Sequence, residues 1–467
     1  MKVYINKLES KSPSLWVNKN KALLYLKLQS KALLRMGILF LAFSLQINAQ
    51  HLLTKQEALQ IALENNYGIK LANNSVEIAK NNSSIYNSRF LPSLSTNAGA
   101  NYDLSNQEIG RQDGSTTTID GAETKSYNAS VNLNYTIFDG LGRKYNYKQL
   151  KETYNLTELQ ARETIENTYL QLFSVYFQIA RLSENTKNLK EALAISNQRL
   201  LRAQYQYEYG QSTKLELLNA EVDVNNDSIN LINANQQFNN TKRNLNILLG
   251  KQQDINYTVE TDVNFSTLLS FEELLTKAKE NNVVLNQNEK NIAISEFNLK
   301  ANKGSYLPTV GLTSSYGWNK SKNPSTSFFA SSVSNGLRAG INLSWNLFDG
   351  GSTKTRVANA KIALENQEIL QEQQVETIEN TLKNTWEAYH NQLYVLNAQK
   401  QNVITTQNNF DRTEERYKLG QVTSIEFRQA QINLLNTQTA LNNAKYDAKL
   451  IELELLQLSG QLLDVDF

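Results

Sequence analysis

The sequence has 467 residues, 40% of them hydrophobic, and its mean hydropathy of −0.48 is too low for a bundle of membrane helices. It contains no cysteine, which excludes disulfides, thiolate metal sites, a cysteine nucleophile and a lipidated N-terminal cysteine. Its two histidines, His51 and His390, argue against a histidine metal cluster or a Ser/His/Asp triad within one chain.

The N-terminal segment predicts a secretory signal peptide over residues 1–49. Eight Lys/Arg and one acidic residue precede the apolar run 36–45, and cleavage is expected after Ala49. A membrane anchor is the alternative, but the run is shorter than the ~20 residues that a spanning helix needs. Without this segment, 39 basic residues (47 less eight) face 44 acidic ones (45 less one). The charge therefore gives no indication of a nucleic-acid partner.

The rest of the chain is predicted to hold two tandem copies of one unit, residues 50–250 and 270–467, joined by a linker over 251–269. Motifs in the first half of the unit recur at an offset of 216 residues, and those in the second half at an offset of 210. The matched motifs are Thr54-x-x-Glu57 with Ser270-x-x-Glu273, Glu64-Asn65-Asn66 with Glu280-Asn281-Asn282, Leu91-Pro92 with Leu307-Pro308, Phe138-Asp139-Gly140 with Phe348-Asp349-Gly350, Tyr207-x-x-Gly210 with Tyr417-x-x-Gly420, and Gly250 with Gly460.

Each copy begins with helical sequence, predicted over about 54–90 and about 271–306. A Ser or Thr followed three residues later by Glu is a capping box, which opens the first helix at Thr54 and at Ser270. A second helix is expected to end at Pro92 or Pro308, because proline disfavours helical geometry in the residue before it.

Two strands follow in each copy, predicted over about 93–104 and 127–138, and over about 309–318 and 337–348. Apolar residues alternate with Asn, Ser and Thr from Tyr127 to Ile137, which is the period of a strand. Each segment has about the 9–11 residues of a tilted membrane strand. A half-buried soluble hairpin is the alternative. The connecting loops are expected over about 105–126 and 319–336.

Very long helices are predicted next, over about 141–208 and about 351–418. These segments lack Gly and Pro in their interiors, and at 1.5 Å per residue each would reach ~100 Å. Apolar residues from Ile165 onwards are spaced by four and three residues in alternation, as in a coiled coil. After a turn, return helices are predicted over about 212–249 and 422–459.

The strand-to-helix junctions contain an aspartate and glycines in both copies. Asp139 and Asp349 are expected to cap the long helices, and the glycines permit a tight junction. The junction residues are Phe138, Asp139 and Gly140 in the first copy, Phe348, Asp349, Gly350 and Gly351 in the second, and the prolines Pro92 and Pro308 before the strands.

Four strands cannot cross a bilayer as an open sheet, because each unpaired N–H or C=O group on its edges costs several kcal/mol in hydrocarbon. Two copies of the chain would close an eight-stranded barrel filled by its own side chains, whereas three would close twelve strands around a lumen. A trimer is therefore the smallest assembly expected to conduct.

Over residues 50–467 the chain resembles the TolC-like outer-membrane factor family, the outer membrane efflux proteins. The duplication, Phe-Asp-Gly-Gly at 348–351 and the Tyr-x-x-Gly turns carry the resemblance. It implies a mainly α fold with membrane β: four strands and long coiled-coil helices per protomer, assembled as a homotrimer. Its 12-stranded barrel in the outer membrane would continue as a periplasmic helical barrel.

The family also implies a passive exit duct of a tripartite efflux or type I secretion system, surrounded by outer-membrane lipid. The implied partners are a periplasmic adaptor (membrane fusion) protein and an inner-membrane pump of RND, ABC or MFS type, which supplies the energy. Catalytic residues, cofactors and bound metals are not expected.

The resemblance places candidate adaptor-docking residues at the two helical turns and candidate gate residues just beyond them. Val422 stands where a prototype has an arginine, and Gln429 where it has a second acid, so the same gate bonding is not implied. First-turn acids that favour the helix dipole are the alternative for both glutamates. The docking candidates are Tyr207, Gly210, Thr213, Tyr417, Gly420 and Thr423, and the gate candidates are Glu216, Glu426 and Gln429.

Three other classes of protein can be weighed on the same residues. A periplasmic adaptor also has a long helical hairpin, but the two matched pairs of strands argue against it. A trimeric coiled-coil adhesin would lack strand hairpins between its helices. An enzyme is the weakest alternative, because the sequence shows no nucleophile, base and orienting group, and no phosphate loop.

Overall fold

The computed structural model describes residues 51–250, 256–266, 270–325 and 327–464. The predicted signal peptide over 1–49 lies outside them, as do the two ends of the predicted linker. The chain divides into two compact units. Strands β1 (His51–Leu53) and β4 (Tyr257–Val259) form a two-stranded sheet, and all of its residues except Val259 belong to the smaller unit.

Helices α1 (Lys55–Asn65) and α2 (Tyr67–Asn82) open the first copy. Thr54 Oγ1 accepts a hydrogen bond from Glu57 N at 3.1 Å, and Asn66 separates the two helices because its Oδ1 accepts from Gly68 N at 2.8 Å. The expected helix end at Pro92 is wrong, since α2 ends at Asn82. Ser83 donates to Lys80 O at 2.8 Å and closes the last turn well before the proline.

The second copy opens in the same way, with α5 (Phe271–Asn281) and α6 (Val283–Gly304). Ser270 and Glu273 form a reciprocal capping box, and Asn282 separates the two helices. Here α6 ends four residues before Pro308, close to the predicted boundary. The helical segments predicted over 54–90 and 271–306 are thus each broken at the second asparagine of the Glu-Asn-Asn motif.

Four strands form an antiparallel sheet in the order β2 (Ser93–Gly110), β3 (Thr116–Asp139), β5 (Thr309–Lys322) and β6 (Ser331–Ser344). The loop expected over 105–126 is wrong, because β2 and β3 stay paired as far as Gly110 and Thr116. Asp113 holds their turn by accepting from Ser115 N at 2.9 Å. In the second copy, the strand predicted over 337–348 starts earlier and also ends earlier.

The sheet has two open edges. Strands β2 and β6 each pair with one neighbour, so each leaves one edge unpaired within the described part of the chain. All residues of β6 are exposed, including Leu337, Ile341 and Leu343.

Two helical hairpins contain the four longest helices of the described residues. The first hairpin consists of α3 (Gly142–Glu208) and α4 (Lys214–Leu248), and the second of α7 (Ser352–Lys418) and α8 (Ser424–Leu458). Helices α3 and α7 have 67 residues each, which corresponds to ~100 Å of helix. Within the described residues, no helix is both long enough and apolar enough to cross a lipid bilayer.

Part of the helical core lies where α8 packs on α3. Of the residues that the coiled-coil spacing selects, Ile165 is half-buried, whereas Tyr169, Leu172, Tyr176 and Ile179 are buried. Phe177 of α3 approaches Tyr446 of α8 with ring centroids 5.8 Å apart. The heptad pattern of the sequence therefore marks the core of this contact.

The described part of the predicted linker packs along α8 through its backbone. Thr261 O accepts from Tyr446 Oη at 3.1 Å, and Asn264 O accepts from Lys449 Nζ at 2.8 Å. Ser266 N donates to the buried carboxylate of Glu452 at 3.1 Å. Residues 261–266 therefore fasten the junction between the two repeats to α8.

Candidate functional site

Both junction aspartates bond the first turn of a long helix. Asp139 Oδ2 accepts from Arg143 N at 2.8 Å, and Asp349 Oδ2 accepts from Thr353 N at 2.8 Å. Hydrogen bonds from the Thr353 hydroxyl and backbone hold the pKa of Asp349 below its ordinary value. The two carboxylates therefore occupy equivalent positions at the start of α3 and α7.

The junction glycines serve two different purposes. A Cβ on Gly140 would lie 2.1 Å from Gly304 O, so the absence of a side chain at Gly140 permits close contact between the two repeats of the chain. All three junction glycines have positive φ values, 67° at Gly140, 69° at Gly350 and 89° at Gly351, but Gly350 and Gly351 have open space around them. Phe138 is half-buried, whereas Phe348 is 87% exposed in the protomer.

Pro92 and Pro308 each stand directly before a strand, β2 and β5 respectively. Proline is tolerated at the first residue of a strand or just outside it, where no ladder hydrogen bond from its nitrogen is needed. The two residues therefore mark where the sheet begins, while the helix boundary is set elsewhere.

The two helical turns share a backbone geometry. Gly210 and Gly420 have φ values of 70° and 72°, and their N–H groups donate to Tyr207 O and Tyr417 O at 3.0 Å. Thr213 and Thr423 are the N-cap residues of the return helices. The left-handed conformation explains why both turns need glycine.

The turn tyrosines differ in their surroundings. Tyr207 is 41% exposed. Tyr417 stacks on Phe427 with centroids 4.7 Å apart, and the guanidinium of Arg202 lies 4.9 Å from the Tyr417 ring. The second turn is therefore fastened to the first hairpin, whereas the ring of Tyr207 is available at the surface.

The gate candidates are exposed in the protomer and bond their own helices. Glu426 Oε2 accepts from Thr423 N at 2.7 Å in a capping box, and these hydrogen bonds lower the pKa of Glu426. Glu216 accepts from the Ser212 hydroxyl, and Gln429 donates to Asn433 Oδ1 at 2.8 Å. The two glutamates thus have the geometry of first-turn helix acids, whereas Gln429 bonds a residue one turn further along α8.

A buried polar cluster at the contact of three helices was not found from the sequence. Arg428 of α8 forms two hydrogen bonds of 2.7 Å with Asp227 of α4. Ser196 of α3 donates to Asp227 at 2.6 Å, and Gln431 donates to Ser196 Oγ at 3.1 Å. The one feature of the sequence that points to this cluster is the charged Arg428 directly after Phe427, an apolar residue of the coiled-coil pattern.

Burial and pairing act in opposite directions on these charges. Burial alone would raise the pKa of Asp227, but hydrogen bonds from Arg428 and Ser196 outweigh it and lower that pKa. Burial alone would lower the pKa of Arg428, and Asp227 reverses the shift. Both groups are therefore charged in the folded protein at neutral pH.

The comparison with protein families decides the class of the chain. The family model described as "Outer membrane efflux protein" matches residues 58–251 and 274–461, one match in each copy. The chain belongs to the outer membrane efflux protein family. Membership supports an outer-membrane efflux channel as the general function and the outer membrane as the location.

Characterised relatives cover most of the chain at low identity. The outer membrane protein TolC of Escherichia coli K12 is 23% identical over 393 residues, which are 81% of this chain and 76% of TolC. TolC of Vibrio cholerae is 22% identical over 66% of this chain and 70% of its own length. The outer membrane efflux protein BepC of Brucella suis is 21% identical over 87% and 85%.

Solved structures share the fold. The Campylobacter jejuni CmeC outer membrane channel superposes with a TM-score of 0.73 at 18% identity, over 87% of this chain and 86% of that one. VceC of Vibrio cholerae gives a TM-score of 0.69 at 16% identity, over 87% and 96%. The mainly helical architecture with few strands is therefore that of outer-membrane channels.

Proposed function

We propose that this chain is one protomer of a homotrimeric outer-membrane duct that passes substrates out of the cell. In this proposal an inner-membrane pump delivers the substrate and a periplasmic adaptor connects pump and duct. Family membership supports the channel. The homotrimer, the adaptor and the pump are proposed beyond what family membership shows.

The observation that carries the trimer is the pair of open sheet edges. Strands β2 and β6 would present unpaired N–H and C=O groups to lipid, at several kcal/mol for each group. Pairing β2 of one copy with β6 of the next removes this cost. Three copies of the four-stranded sheet give twelve strands, enough to enclose a lumen.

The register of the sheet separates an apolar face from a polar one. Val131 pairs with Tyr316, which pairs with Leu337, so three apolar side chains form one row. The next row places Asn132, Ser315 and Arg338 together on the opposite face. In a closed barrel the first face meets lipid and the second lines the water-filled interior.

The helical hairpins then extend from the barrel into the periplasm. Helices of ~100 Å would carry the turns at Gly210 and Gly420 far from the outer membrane. There the exposed turn residues, Tyr207 among them, are the surface on which an adaptor docks. Substrate movement needs no catalysis by this chain.

Assembly and conductance test the proposal directly. The full chain, extracted from outer membranes in mild detergent, is expected to have the mass of three copies by light scattering. It is expected to give discrete conductance steps in planar lipid bilayers. A monomeric protein without conductance would contradict the duct and favour an adaptor or an adhesin. Chemical crosslinking in intact cells, followed by purification and mass spectrometry, would identify the adaptor and the pump.

The gate assignment has its own test. Glu216 and Glu426 would supply six carboxylates near the axis of a trimer, which favours cations at the entrance. The double variant Glu216→Gln with Glu426→Gln is expected to reduce cation selectivity, measured as the reversal potential across a salt gradient. A control variant, Glu272→Gln on α5, should leave selectivity unchanged. Equal selectivity in all three proteins would leave both gate residues as helix caps only.

A further inference from the structure

The two helical hairpins match residue for residue. Both long helices have 67 residues and both return helices have 35, so an offset of 210 maps the first hairpin onto the second without a gap. Each contact that α8 makes with the first hairpin therefore has a defined counterpart. That counterpart pairs a residue of α4 with a residue of the second hairpin.

Within the chain, α8 is held against the first hairpin by charges; this contact is named the within-chain joint. Its ion pairs include three that are distributed along α8. They are Arg428 with Asp227 at 2.7 Å, Lys445 with Glu184 at 2.7 Å, and Asp447 with Arg181 at 3.2 Å. Arg428 also lies 3.6 Å from Asp223, a second acid of α4.

None of these three ion pairs has a charged counterpart at the offset of 210. Where an acid and a base meet within the chain, the matched positions hold apolar, hydroxyl or amide side chains. The counterparts are Leu218 with Thr437, Asn235 with Tyr394, and Gln237 with Asn391.

The amide pair of the within-chain joint is replaced as well. Asn442 Nδ2 donates to Asn185 Oδ1 at 2.8 Å. The counterparts of these residues are Ile232 and Val395, both large apolar side chains that are 64% and 40% exposed in the protomer. An apolar pair that faces solvent at matched positions indicates a surface covered in the assembly.

The exposed apolar residues of α4 lie on one face of the helix. Leu218, Ile232 and Ile247 follow one another at about four helical turns, the spacing of a coiled-coil seam. All three are exposed, at 45%, 64% and 68%. Each is the counterpart of an α8 residue that bonds the first hairpin, since Ile247 matches Gln457, whose Nε2 lies 2.8 Å from Asn167 Oδ1.

We propose that α4 of one protomer packs against α7 of the next protomer in the register of the within-chain joint, with Ile232 against Val395. The proposal rests on the proposed function, in which several copies share one barrel. It adds the surface, the partner helix and the register.

The different chemistry of the two joints determines which hairpin each helix accepts. Helix α8 carries Arg428, and the first hairpin offers Asp227 to pair with it, whereas the second hairpin has Thr437 at that position. A buried charge without a partner is costly, so α8 is prevented from packing against the second hairpin of another protomer. Helix α4, with Leu218 in place of the arginine, fits the uncharged surface.

Cysteine crosslinking tests the register in the intact protein, which has no cysteine of its own. The double variant Ile232→Cys with Val395→Cys, purified from outer membranes and oxidised with copper phenanthroline, is expected to form disulfides between chains. Non-reducing gels should show two and three linked chains, and a reductant should return them to one. Disulfides need Cα atoms within about 7 Å, so the reaction reports the register closely.

Two controls keep the outcome decisive. Asn225→Cys with Val395→Cys is shifted by seven residues, or ~10 Å along α4, and is expected to stay unlinked. Asn185→Cys with Asn442→Cys should form a disulfide within one chain, which shows that oxidation works. If positions 232 and 395 do not link in a protein that still has three copies and conducts, the register is overturned and the duct stands. A monomeric, non-conducting protein would overturn both.

Discussion

At the scale of single residues, the most unusual feature is the charge buried where three helices meet. The side chain of Asp227 is 4% exposed and that of Arg428 is 15% exposed. Taking both from water costs several kcal/mol, so the pair adds little net stability compared with an apolar pair. Its effect is on specificity, because either charge without the other is strongly unfavourable.

Asp227→Asn is therefore expected to destabilise the helical hairpins by about 3 kcal/mol, because Arg428 stays buried without its carboxylate. Denaturant titration followed by far-UV circular dichroism would measure the loss. The equivalent position of the second hairpin provides a matched control. Thr437 shares a hydrogen bond of 2.7 Å with Thr406, so Thr437→Val should cost only about 1 kcal/mol. Equal losses in the two variants would contradict a special role for the charge.

The same residue gives the stability a pH dependence. The folded protein lowers the pKa of Asp227, so its stabilising effect is complete above the unfolded value of about 3.9. The effect is lost as the pH falls through the lowered folded pKa. The difference in unfolding free energy between the wild type and Asp227→Asn should thus shrink on acidification.

At the scale of elements, patterns that depend on local periodicity were predictable. The alternation from Tyr127 to Ile137 places a strand there, and the spacing from Ile165 identifies buried positions of α3. Contacts distant in sequence were not predictable. The pairing of Arg428 with Asp227 spans 201 residues, and only the packed helices bring them together.

Helix ends were the least predictable elements. The proline rule gave Pro92 as the boundary of α2, yet Ser83 and Ser84 compete for the backbone hydrogen bonds earlier in the chain. The Glu-Asn-Asn motif, by contrast, was visible as a repeat but not interpretable. Asn66 caps α2 and also donates from Nδ2 to Leu248 O at 2.9 Å, at the end of α4.

Asn66→Ala is expected to cost roughly 1–2 kcal/mol, since it removes an N-cap and a bond to the end of another helix. Asn282→Ala should cost a similar amount, because Asn282 Nδ2 donates to Leu458 O at 2.9 Å in the second copy. Asn65→Ala is the control, as the Asn65 side chain bonds Ile61 O within its own helix. Thermal unfolding would rank the three, and an equal effect of Asn65→Ala would argue against the capping account.

At the scale of the whole molecule, the duplication means that similar helical hairpins must be distinguished when protomers assemble. Two hairpins of equal length and similar pattern could pair in several ways when copies assemble. Charged pairs in the within-chain joint, absent at the matched positions, give each return helix one acceptable partner. In a closed ring of protomers, charged joints within each chain would then alternate with uncharged joints between neighbouring chains.

The proposed register makes a charge-rescue prediction for the assembly. Leu218→Arg would place a guanidinium opposite Thr437 of the next copy, where nothing balances it, so the fraction of three-copy protein should fall. Adding Thr437→Asp rebuilds across copies the pair that Arg428 and Asp227 form within one chain, and should restore the assembly. Light scattering in detergent would measure the three-copy fraction, with Thr437→Asp alone as the control for damage to the second hairpin. Rescue specific to the double variant would require Leu218 and Thr437 of different copies to be neighbours, whereas independent losses from the two changes would show that they are not.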